Sequence, residues 1–142
     1  MRSGRSEMLI LLAHAAVGWA LCFATIGIGM AVTTDRNALI VHAIAAPVYF
    51  GGVSISYFTR FGHTSPLQTA FAFTGFVVVT DLLLVALVVL GSLEMFASPL
   101  GTWIPFGLIF GSTWLTGWLV FRQTAGPVDR GAAGRQSTVR AG

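Results

Sequence analysis

Asp81 is the only Asp, Glu, Lys or Arg inside four long apolar stretches of this chain, and a lone carboxylate among aliphatic residues demands a reason. At membrane depth such a group costs about 2.5–3.5 kcal/mol on insertion scales, so it faces a partner, a wet cavity or a function. The polar residues able to serve it are few. His42, Tyr49 and Ser56 recur at seven-residue intervals on the second stretch, and on the third Thr74 stands seven residues before Asp81, with Thr80 beside it. Seven residues are close to two helical turns, so each set shares a helix face. An acid and an imidazole on such faces can hand a proton between them, with Tyr49 or a water completing the link. This chemistry suits the binding or movement of a proton or a small amphipathic ligand. It also suits acid–base catalysis on a lipid-soluble substrate, as in an isomerase or cyclase. Asp81 and His42 are the catalytic candidates, and Tyr49, Thr74, Thr80 and Ser56 the ligand-binding ones. Two other readings compete: Asp81 as a packing residue, and the chain as an accessory subunit of a membrane complex.

The elements that position these residues follow from composition. The 142 residues are 55% hydrophobic and 9% charged, whereas soluble chains carry roughly 25% charged residues. The stretches Met8–Val32, Ala38–Phe58, Leu67–Gly91 and Trp103–Phe121 each match the roughly 20 residues that cross a hydrocarbon core of about 30 Å. Short connections between them imply an all-α membrane protein, a four-helix up-down-up-down bundle over residues 1–123. Residues 124–142 are rich in Gly, Ala, Arg, Ser and Thr and read as a disordered cytoplasmic tail. Ser6, Thr34 or Asp35, and Ser65 followed by Pro66 are the expected helix starts, with Gly62 and Gly91 as stops. Pro47 falls inside the second helix and is expected to kink it, releasing the Ala43 carbonyl.

Face assignments complete the reading. Lipid offers no hydrogen bonds, so the two polar faces should turn inward and form a seam between helices two and three. At 1.5 Å per residue His42 lies about 6 Å, and Asp81 about 15 Å, from the same end of the bundle. Helix one carries a stripe of small residues, Ala13, Ala16, Ala20, Ala24, Gly27 and Ala31, expected to pack on a neighbour. Beside it runs a more polar line of His14, Gly18, Cys22, Thr25 and Gly29. Gly107 and Gly111 form a GxxxG pattern with Trp114 and Trp118 near the same face; it serves packing within the chain or a homo-oligomer.

Cofactors find no obvious ligands. His14 and His63 are the only histidines that fall near one depth, and a loop ligand is a poor haem partner, so no cofactor and no metal are expected. Cys22 is the single cysteine and has no internal disulfide partner. Three stretches taken together, Gly18 to Cys22 (GWALC) with Gly27 to Met30 (GIGM), His42 to Pro47 (HAIAAP), and Gly101 to Phe106 (GTWIPF) with Thr113 to Gly117 (TWLTG), resemble a group of uncharacterised small four-span membrane proteins of bacteria. That resemblance implies no established activity.

The net charge of +3 is a topology signal rather than a sign of nucleic-acid binding. Arg2, Arg5, Arg60, Arg122, Arg130, Arg135 and Arg140 share one side of a four-span chain, and Arg36 alone lies on the other. The positive-inside rule then puts both termini in the cytoplasm of a bacterial cell, with the inner membrane's lipid bilayer as the principal partner. Reporter fusions at residues 34 and 97 should read outside, and at 62 and 125 inside. An outside signal at 125 would contradict this topology.

Overall fold

Local backbone chemistry sets the ends of each helix. The computed structural model describes residues 4–124, and in it α1 is Gly4–Val32, α2 Asp35–Arg60, α3 Pro66–Leu90 and α4 Pro99–Thr124. Thr34 caps α2 by accepting from the Asn37 amide. Ser65 and Gln68 form a reciprocal capping box at the start of α3, with Pro66 in the first position. Gly62 and Gly91 adopt φ of 53° and 62°, the left-handed conformation that ends a helix most cheaply in glycine. Two starts differ from expectation. The first helix begins at Gly4, so Ser6 lies within it. The fourth begins at Pro99, because the Ser98 hydroxyl accepts from the Gly101 amide and adds a wide first turn before Ile104. The second helix continues through Pro47 to Arg60. Of the expected tail, residues 125–142 lie outside the described residues.

All four helices are long and apolar enough to cross a membrane, and together they form an all-α four-helix bundle. Helix α1 packs on α2 and α3, and α4 packs on the same two. Helices α2 and α3 therefore face each other across a diagonal, which corrects the expectation of a seam between adjacent helices two and three. The reason is steric. Phe50 and Tyr57 of α2 meet Phe73 of α3 edge to face at 5.9 and 6.1 Å, and these buried rings hold the two helices apart. Glycines bring α1 and α4 close to α2 instead. A Cβ at Gly18 would lie 2.8 Å from the Phe50 ring, and one at Gly117 2.7 Å from Phe58. A hydroxyl chain, Tyr57 to Thr64 at 2.9 Å and Thr64 to Thr69 at 2.7 Å, ties the α2–α3 turn beneath.

Helix α1 presents a different face from the one its small residues indicate. Its buried residues are Leu11, Ala15, Gly18 and Cys22, whereas Ala13, Ala20, Ala24, Gly27 and Ala31 are exposed. The polar line is the inward one. Trp19 finds a hydrogen-bond acceptor on α3 and Thr25 a hydrogen-bond partner, the Tyr49 hydroxyl, on α2, and alanines have no comparable need. On α4, Gly107, Trp114 and Trp118 face outward, and Gly111 is half-buried. Gly18→Leu should therefore destabilise the bundle by about 1–3 kcal/mol, the range for overpacking a filled site. Ala20→Leu should stay within about 0.5 kcal/mol of the parent. Unfolding in detergent checks both, and the opposite ranking would return the alanine stripe to the core.

Candidate functional site

Asp81 stands where α3 changes its hydrogen-bonding pattern. Pro66–Thr80 is an ordinary α-helix, and Asp81–Leu90 is wound wider as a π-helix. Such insertions are infrequent and gather at functional sites. Of these ten residues only Ala86 is buried, so the second half of α3 stands away from the bundle. Trp19 of α1 crosses the resulting gap. Its indole Nε1 donates to Asp81 Oδ1 at 2.8 Å, and its ring stacks on Phe23 at 5.2 Å. The bond gives an indole N–H that lipid could not satisfy an acceptor inside the bundle. No other hydrogen bond reaches the carboxyl group among the described residues, so Oδ2 is left for something else.

A cavity of about 410 Å³ lies above this pair, at the end of the bundle that carries the α1–α2 turn and the α3–α4 connection. Trp19 and Cys22 from α1, His42 from α2, Asp81 from α3 and Thr102 from the start of α4 supply its polar groups. Asp35 lies at the mouth, and Val77, Val85, Leu39, Phe106 and Ile109 form much of the apolar wall. The His42 imidazole rests against the Cys22 backbone, and its Nδ1 is buried without a hydrogen-bond partner. Met30, Val89 and Leu90 line the cavity yet are exposed, so its wall opens sideways between the last turns of α1 and α3. The volume falls within the range of small-molecule sites, and a dominant apolar wall with a few fixed polar groups is their usual make-up.

The structure brings Asp81 and His42 to one cavity without bonding them to each other. It separates them from the other candidates. Tyr49 hydrogen-bonds Thr25 of α1 at 3.0 Å, and with Ser56 it lines an open groove between α1 and α2. Seven residues also advance about 10.5 Å along the axis, so residues that share a face lie at different depths, His42 at the cavity and Tyr49 and Ser56 at the groove. Thr74 is half-buried with its hydroxyl unpaired among the described residues, and Thr80 is half-buried outside both spaces. His14 donates from Nδ1 to the Ile10 carbonyl and packs edge-on against Tyr57 and Phe61, away from the cavity.

Trp19 is the residue that sequence reasoning missed. Its signal was present: an indole N–H in mid-span has no partner in lipid, and one acid lies in the spans. Replacing Trp19 with Phe should destabilise the protein by about 1–3 kcal/mol, the cost of orphaning a buried partner. Combined with Asp81→Leu, which removes the acceptor, the double mutant should fall short of additivity by at least about 0.5 kcal/mol. Additive losses in thermal or denaturant unfolding would mean that the two side chains are not coupled.

No protein-family model, curated protein or solved structure matches this chain.

Proposed function

We propose that this chain is an integral protein of the bacterial cytoplasmic membrane that binds a small amphipathic ligand in the cavity above Asp81. The observation that carries the reading is the Trp19–Asp81 hydrogen bond at the floor of a mostly apolar chamber. A carboxylate kept only for packing has no need of an open space beside it. This one lines about 410 Å³ of open space, and among the described residues only its Oδ1 is hydrogen-bonded. The arginine distribution supports cytoplasmic termini. Arg5, Arg60 and Arg122 cluster at the end bearing the first and last described residues, and the cavity end holds Arg36 with Asp35 and Glu94. The cavity then opens on the outer side of the membrane. Binding need not be the final event, because proton exchange at Asp81 can couple it to movement of the ligand.

A second reading rests on Asp81 and His42 sharing the cavity without touching. A substrate between them would contact an acid and a base, which is the arrangement of a proton-transfer enzyme.

Accessibility tests the first reading directly. In a Cys22→Ser background, Leu39→Cys places a thiol on the cavity wall and Ala46→Cys places one at a fully buried position outside it. A membrane-impermeant maleimide should label residue 39 from the outer face of sealed vesicles and leave residue 46 unlabelled. Labelling of residue 39 only from the cytoplasmic face, or not at all, would contradict an outward-opening cavity.

A further inference from the structure

We infer that the occupant of this cavity is a lipophilic monocation, an amine or quaternary ammonium on an apolar body, seated with its positive centre on Asp81 Oδ2. The inference rests on the reading that the cavity binds a ligand and adds the ligand's charge and its route. Charge comes first. Among the described residues, the lining holds two carboxylates, Asp81 inside and Asp35 at the mouth, and neither Arg nor Lys. An anion entering there would meet like charge with no counter-ion. A neutral molecule gains no ion pair there, and the carboxyl group is left to take up a proton instead. A cation supplies the missing half of an ion pair.

The surroundings fit the rest of such a molecule. Trp19 holds Oδ1, and Asp81 lines the cavity with its second oxygen outside any hydrogen bond among the described residues. The stacked Trp19 and Phe23 rings and Phe106 line the same space, and aromatic faces attract ammonium groups. Val77, Val85, Leu39 and Ile109 offer an aliphatic wall for the apolar body. The sideways opening beside Met30, Val89 and Leu90 lies among outward-facing apolar residues, so a lipid-dissolved ligand has a side entrance besides the outer mouth at Asp35. Proton and cation compete for Asp81. The titratable groups facing it are Cys22 of α1 and His42 and Asp35 of α2; a proton on His42 repels a cation and acts in the same direction.

The test measures saturable binding of three isotope-labelled probes to the full chain in lipid nanodiscs, corrected by empty nanodiscs. The probes are benzyltrimethylammonium, its neutral carbon isostere neopentylbenzene, and phenylmethanesulfonate. The ammonium should bind at least about tenfold more tightly than the other two, a difference of about 1.4 kcal/mol. Asp81→Asn should erase that preference and leave the neutral probe unchanged. On the unaltered chain, ammonium affinity should fall as pH is lowered, and should still do so in His42→Gln. That profile decides the matter even if Asp81→Asn fails to fold. If the neutral isostere binds as tightly as the ammonium, or affinity ignores pH, the cation is wrong and the cavity stands. Preference for the sulfonate has the same consequence. Should none of the three saturate, the ligand-binding reading falls together with the cation.

Discussion

A polar side chain inside a membrane protein must find its partner within the protein, and here that constraint meets in one contact, Trp19 Nε1 on Asp81 Oδ1 at 2.8 Å. Much of the molecule is arranged around it. Helix α1 is rotated so that its polar line faces inward and its alanines face out. Helix α3 changes to the wider π pattern at the residue that accepts the bond. The partner is an indole rather than a cation, so the carboxyl group is held in place without being neutralised by a fixed positive charge.

The two ends of the bundle divide the work. Toward the end bearing the first and last described residues, Phe50, Tyr57, Phe58, Phe61 and Phe73 form a ring-filled core, and the Tyr57–Thr64–Thr69 hydroxyl chain ties the turn. Toward the other end α3 leaves its neighbours and the cavity takes the place of packing. The aromatic bulk that sets α2 and α3 on a diagonal also keeps the upper bundle open. Glycines at 18 and 117 hold the remaining helices against α2, so one part is rigid while the other has room. A tightly packed base beneath a pre-formed chamber would let the proposed ligand bind with little reordering.

Composition alone was enough to read the fold. Four apolar stretches separated by Thr34, Gly62 with Ser65, and Gly91 located the helices to within a few residues, because span length and cap chemistry are local. Asp81 was legible for the same reason, as a single costly residue in an apolar run. What failed was long-range. Helices α2 and α3 are consecutive, and no local rule reveals that ring bulk places them across a diagonal. The alanine stripe of α1 resembles a packing seam, but small side chains only permit close approach, whereas hydrogen-bonding needs decide which face turns in. Tyr49 and Ser56 were grouped with His42 by a spacing that aligns faces but sets successive residues about 10.5 Å apart in depth. Trp19 went unread because tryptophan in a span is usually taken as an anchor or as bulk.

The central claim is that Trp19 and Asp81 are joined within the membrane-spanning bundle, and the indole N–H itself reports on it. In a protein with ¹⁵N-labelled tryptophan, reconstituted in nanodiscs, Trp19→Phe identifies the Trp19 indole resonance. The account predicts that Asp81→Leu, which removes the acceptor, moves this resonance and speeds its exchange with solvent, while the indoles of Trp103, Trp114 and Trp118 stay where they were. A Trp19 indole signal indifferent to Asp81→Leu would contradict it.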